Sequence, residues 1–198
     1  MQQSIIQPFD IDSYILNVNP TTNTGGLEFL MLNNLSSSIL RGVGAVDFSV
    51  LPNYVKIEEA LLGLYYYDYD FDDPNGLEIK LNRLTQAALT ELGVTWNKYD
   101  GSNNWASSGG DFTATNVATQ AMPASYGWVE FDVTEQAKYA QANTSKILYW
   151  LLKYSDEDAG GDGSSIKFYS SEYVTDTTKC PKLILNWRYR EALWMGHA

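Results

Sequence analysis

The sequence predicts an all-β fold, an antiparallel β-sandwich with one short helix and long ordered loops. About nine segments of strand length follow one another, several alternating apolar and polar residues with the period of two of a half-buried sheet. Only one stretch, after Thr134, has the composition of a helix, and no strand–helix–strand rhythm of a parallel sheet occurs. Tyr and Trp number 14 and 6 among 198 residues, and such rings pack well on pleated surfaces.

The first strand falls in residues 9–18, where Ile11, Ser13 and Ile15 alternate with Asp12 and Tyr14, and Asn19-Pro20 ends it. A turn at 23–26 precedes strands over 27–32 and 39–48. Residues 56–71, KIEEALLGLYYYDYDF, are the longest apolar run. Three tyrosines soon after a glycine argue against a helix, so a central strand buried on both faces or nearly so is expected. DDPNG at 72–76 is a hairpin or loop signal. Leu77, Ile79 and Leu81 then point inward between Glu78 and Lys80. Val129, Phe131 and Val133 do the same against Glu130 and Asp132, and Thr134 stands where it would cap a helix running to Gln141. Strands over 147–154, 165–170 and 182–187 complete the set, the first two joined by the acidic DEDAGGDG.

Residues 94–112, VTWNKYDGSNNWASSGGDF, have neither a helical nor a strand period. Trp96 and Trp105 carry large apolar surfaces that need cover, and Asp100-Gly101 and Gly109-Gly110 supply bends to return them to the body. The expectation is an ordered loop lying over one end of the core, structural in purpose. The chain divides into an N-terminal arm (1–9), one β-sandwich domain (10–187) and a C-terminal tail (188–198).

A formal charge of −11, from 24 acidic and 13 basic residues, argues against partners bound through phosphates, so neither nucleic acid nor an anionic membrane is expected. One cysteine, Cys180, rules out an intramolecular disulfide and reads as a small buried residue. No apolar stretch is long enough to span a bilayer, and the first residues lack the pattern of a secretory signal.

The succession DIDSYI, RGVGAVDFSVLP, KIEEALLGLYYY, VTWNKYDGSNNWASSGGDF, GWVEFDVTE, IKFYSSE and PKLILNW, spanning residues 10–187, resembles the DNRLRE domain, a carbohydrate-binding-module-like sandwich also found in disaggregatase-related repeats. The resemblance implies a jelly roll of the kind found in extracellular polysaccharide-active proteins, surface proteins and phage virions. With one domain and no signal pattern, the sequence reading places a virion role first. That role is a non-enzymatic capsid decoration or head-fibre protein, homo-oligomeric and docked on capsid or other virion proteins, with a host-surface glycan as a further partner. The alternative is a carbohydrate-binding module of an extracellular or cell-surface protein.

Candidate residues follow from each chemistry. Paired carboxylates serve glycosidases, and Glu130 with Asp132, or Glu58 with Glu59, are the pairs available, although they read as solvated faces. The single histidine, His197, and Cys180 assemble no nucleophilic constellation. Calcium favours clustered hard oxygens, found in Asp156, Glu157, Asp158 and Asp162 and in Asp68, Asp70, Asp72 and Asp73. Neither group has EF-hand spacing, and no cofactor is expected. Sugar rings stack on exposed aromatics, and Tyr65, Tyr67, Tyr69, Tyr99 and Trp105 are the candidates. Finally, Ile5 and Ile6 at one end and Leu193, Trp194 and Met195 at the other lie outside the sandwich pattern and are the expected partner-binding residues.

Overall fold

The computed structural model describes residues 1–35, 37–143, 146–158 and 163–190. Its strands are β1 (Gln2–Ile6), β2 (Ile11–Leu16), β3 (Phe29–Leu35), β4 (Ser38–Asp47), β5 (Val55–Phe71), β6 (Glu78–Arg83), β7 (Ala118–Ala121), β8 (Gly127–Asp132), β9 (Ile147–Tyr154), β10 (Ser164–Tyr169) and β11 (Lys182–Tyr189), with helix α1 (Thr134–Asn143) between β8 and β9. All pairings between these strands are antiparallel. The hydrogen-bonded path β1-β11-β5-β10-β3-β4-β9-β6-β7, with β8 on β5 and β2 on β4, curls back on itself as a sandwich. One layer is built on β5, flanked by β11, β8 and β10. The other is built on β4 and β9, flanked by β2 and β6. β3 bridges them, pairing β10 along its length and β4 through its last residues.

The core fills the space between the layers. Leu62, Leu64, Val129, Phe131, Phe168 and Leu185 from the first layer meet Val46, Ile79, Leu81, Leu148, Trp150 and Leu152 from the second. Full burial of each such aliphatic or aromatic side chain contributes about 1.5–3 kcal/mol, so this double row dominates the stability of the fold.

Strand β5 is central, but it is not buried on both faces. Leu62, Leu64 and Tyr66 are buried, whereas Leu61, Tyr65 and Tyr67 are only half-buried, because the second layer packs on one side alone. A bulge in the β5–β10 ladder then breaks the alternation: Phe168 pairs with Tyr66, but Lys167 pairs with Asp68, leaving Tyr67 without a partner in the register. Past the bulge, Tyr69 lies opposite Ile166 and packs on the core instead of sharing a face with Tyr65 and Tyr67.

Other departures are local. Thr134 begins α1, but its hydroxyl accepts the Ala60 N–H (2.9 Å) and its own N–H goes to Asp132 Oδ1 (3.0 Å), so it ties the helix to β5. Leu77 precedes β6 and is exposed, while Ile79 and Leu81 are buried as expected. Strands β1 and β7 were not foreseen, since QQSII and ATQA show no clear alternation. β1 pairs with β11 of its own chain, which sends Ile6 toward the core and leaves Ile5 57% exposed. Cys180 is buried, its Sγ 3.4 Å from the Tyr173 carbonyl. Among the described residues no helix is long and apolar enough to cross a membrane.

Candidate functional site

The outer face of the second layer is apolar, and the chain covers it itself. Ile15, Val43 and Leu151 project from β2, β4 and β9 into a second cluster completed by Leu84, Leu89, Val94 and Trp105, with Trp96, Tyr99 and Phe112 packed against it. Trp105 is 5% exposed, and its Nε1 donates to the Thr95 carbonyl at 2.9 Å. The loop at 94–112 is therefore a structural cover, as its composition suggested, and burial removes Trp105 from the candidate sugar-stacking set, while Tyr99 stays half-buried against it.

Arg41 pins that cover. Its Nη1 donates to the Gly109 carbonyl (2.7 Å), and its guanidinium lies over Trp96 and Phe112, 5.0 and 5.8 Å from the ring centroids. Gly109 has φ +90°, and a Cβ there would lie 2.7 Å from Trp96 Cζ2 and 2.8 Å from Arg41 Nη1; only glycine fits. Glu157 closes the arrangement, accepting from Arg41 Nε and Nη2 at 2.6 and 2.8 Å and pairing with Lys153. Burial pushes the Glu157 carboxyl up, but the hydrogen bonds and charges of Arg41 and Lys153 outweigh it and hold the group below its usual range. Glu157, a calcium candidate in the sequence, thus faces two cations.

The first layer presents a different outer face. Tyr65 and Tyr67 on β5, Trp128 on β8, Tyr169 on β10 and Tyr173 beyond it stand side by side, all half-buried. Tyr67, Tyr169 and Tyr173 form a nearly parallel stack, with centroids 4.1 and 3.8 Å apart at 9° and 13°. Tyr65 meets Tyr169 at 5.9 Å and Trp128 edge-on at 5.4 Å. Ion pairs fringe this strip. Lys167 reaches Asp68 and Asp70 at 2.9 and 2.8 Å, and Lys182 reaches Glu130 at 3.6 Å across Gly63 while lying 3.6 Å from the Trp128 centroid. The Tyr169 phenol is pushed up to about 12, by the Tyr173 hydroxyl first and burial second, and burial raises Tyr67. Both remain protonated and able to donate. The sequence reading included Tyr65 and Tyr67 but missed Trp128, Tyr169 and Tyr173, which only strand pairing brings beside them.

The paired carboxylates are engaged elsewhere. Glu58, Glu59 and Asp132 line one cleft of about 380 Å³, from which Glu130 is absent. Arg188 first, then Lys56, hold Glu58 below its usual range. Glu59 accepts from Asn186 Nδ2 at 2.6 Å, and Asp132 accepts from Thr134. A carboxyl held low is a poor general acid.

A second acidic group escaped the sequence reading altogether. Asp12, on β2 and 1% exposed, accepts from the Ser171 N–H and hydroxyl and donates its own N–H to Glu91 Oε2 at 2.8 Å. Burial raises Asp12 to about 7 and Glu91 to about 8, and raises Glu172 beside them. Leu193, Trp194, Met195, His197 and Asp162 lie outside the described residues.

The model of carbohydrate-binding module family 96 matches residues 6–186, in agreement with the carbohydrate-binding-module-like sandwich of the sequence resemblance. No curated protein matches the chain.

Proposed function

The chain belongs to carbohydrate-binding module family 96, and from that premise we propose that it binds a polysaccharide, without altering it chemically, along the aromatic strip of Trp128, Tyr65, Tyr67, Tyr169 and Tyr173. Membership supports the carbohydrate-binding alternative over the virion role, and over the capsid docking and self-assembly that went with it. It also favours work outside the cell or at its surface.

The observation that carries the proposal is the strip itself. The solvent side of an antiparallel sandwich ordinarily carries polar side chains, whereas here five aromatic side chains from four segments adjoin one another. Because Tyr169 stacks between Tyr67 and Tyr173, the strip offers a sugar's C–H groups ring edges and the outer surfaces of the stack; protonated phenols supply hydrogen-bond donors, and the flanking ion pairs fix the strip's edges. Non-catalytic binding accords with carboxylates already committed to cations, a backbone N–H and a side-chain amide.

A glycan array followed by titration of the best ligand tests this. Trp128→Ala and Tyr67→Ala should each weaken binding roughly tenfold, about 1.4 kcal/mol, with the fold intact by circular dichroism. Undiminished affinity in the double variant would place the sugar elsewhere.

A further inference from the structure

We propose a second saccharide site, separate from the aromatic strip, in the cleft between the turn after β2 and the covering loop. It goes beyond the reading above and does not depend on it. The cleft holds about 350 Å³ and is lined by Thr21, Asn23, Gly93, Asn97, Lys98 and Asn104, among others, a size within the range of small-ligand sites.

Its walls are fixed before any ligand arrives. Asn23 Nδ2 donates to the carbonyls of Glu91 and Val94, both at 2.8 Å, tying the turn after β2 to the loop. The Asn97 N–H bonds Pro20 O, and its carbonyl accepts from Trp105 N, each at 3.1 Å. Thr95 N–H bonds the Lys98 carbonyl at 2.8 Å, and Lys98 N–H returns to Thr95 Oγ1 at 3.0 Å. Asp100 binds its side chain into the next turn, accepting from Ser102 N, Asn103 N and Asn103 Nδ2.

Against that bonded frame, the side chains of Thr21, Asn97 and Asn104 make no hydrogen bond within the described residues. Each amide offers two donors and an acceptor, the pattern that pairs with neighbouring sugar hydroxyls, and a rigid frame lowers the entropy cost of using them. The lining chemistry selects the class. The Lys98 ammonium gives one donor to the Gly101 carbonyl at 3.1 Å and keeps its charge and its other donors, and no carboxylate is among the lining residues, so the fit is to a hydroxyl-rich ligand, neutral or acidic. Leu92, 76% exposed at the rim, gives the C–H face of a sugar ring an apolar contact. Two sites on one module would let it bridge two glycan strands, or hold one multivalent surface more tightly.

The test is nuclear magnetic resonance of the full chain, labelled with nitrogen-15 and titrated with neutral gluco-, xylo- and manno-hexasaccharides and an acidic hexauronide. At least one of them should shift the side-chain amide signals of Asn97 and Asn104 and the backbone signals of Gly93 and Gly101. These shifts should persist in Trp128→Ala and weaken at least tenfold in Asn97→Ala/Asn104→Ala, whose removed groups make no internal bond, so the variant should fold. Cleft signals unmoved by every hexasaccharide, or moved equally in the double variant, would overturn the site. Shifts confined to Trp128 and the Tyr65–Tyr67 strand would sink it while leaving the aromatic strip standing.

Discussion

The two layers of this sandwich share an inner surface and differ on the outside. On β2, β4 and β9, the outward Ile15, Val43 and Leu151 lie beneath a loop of the same chain, with Trp105 sealed and Arg41 pinning Trp96 and Gly109. On β5, β8 and β10, an aromatic surface receives no covering loop among the described residues, and its rings pack on one another and beside a lysine. Apolar area on a sheet's outer face costs free energy unless something removes it from water. One layer meets that cost within the chain; the other leaves room for a ligand to do so.

The largest test of this difference swaps tryptophan for alanine on each side. Trp105→Ala removes a sealed ring and its hydrogen bond to Thr95, and should cost about 3–5 kcal/mol, read as a lower urea midpoint. Trp128→Ala removes a half-buried ring from an open face and should cost no more than about 1 kcal/mol while impairing carbohydrate binding. Equal losses of stability would mean that both faces are structural, and the contrast would fail.

A second test lies where the cover meets the open layer. Asp12 on β2, Glu91 in the covering segment and Ser171 just past β10 converge there. Asp12 rises from an ordinary 3.8 to about 7 and Glu91 from 4.5 to about 8, burial being the first cause in both. The folded state therefore keeps protons that the unfolded chain releases, so stability falls as pH rises from about 4 to about 8. The groups held low, Glu58, Glu78, Asp100, Glu157 and Asp176, act in the opposite sense, but only as pH drops below their ordinary values near 4. Urea midpoints should be higher at pH 5 than at pH 8, and Asp12→Asn, which mimics the protonated acid, should flatten that difference. A midpoint that rises between pH 5 and 8 would show that these carboxyls ionise without cost.

The fold was legible where period and burial coincide. Ile79 and Leu81, and Val129 and Phe131, announce their strands because these buried residues alternate with Glu78 and Lys80 and with Glu130 and Asp132. The loop at 94–112 declared its role through two tryptophans and its turn glycines. What escaped depends on pairing between distant segments. The bulge that removes Tyr69 from the open face arises in the β5–β10 register, and Tyr169 and Tyr173 join the strip only because β10 lies beside β5. Asp12 looked like the polar half of an alternation, yet it is buried, because Ser171 supplies hydrogen bonds from 159 residues away. Arg41 carried no signal, since its partners Gly109 and Glu157 are far along the chain.

The smallest expected effect concerns Gly63, at the centre of the open face, where Lys182 and Glu130 pair across β5 over a residue with no side chain. A Cβ there would stand 3.0 Å from Lys182 Cε and 3.1 Å from Trp128 Cε3. These contacts are tight but yielding, because the lysine is flexible and the indole lies on an uncovered surface. Replacing a strand glycine with alanine gains about 0.5–1 kcal/mol in backbone entropy, which the displaced lysine and indole should roughly offset. Gly63→Ala should therefore leave the urea midpoint nearly unchanged while tilting Trp128 away from Tyr65 and weakening the glycan a few-fold. The same substitution at Gly109 on the covered layer meets Trp96 and Arg41 at under 3 Å with φ +90°, and should lower stability outright. If Gly63→Ala binds sugar as well as the parent protein does, Trp128 is not in the contact and the strip's active portion must be drawn around Tyr67, Tyr169 and Tyr173 instead.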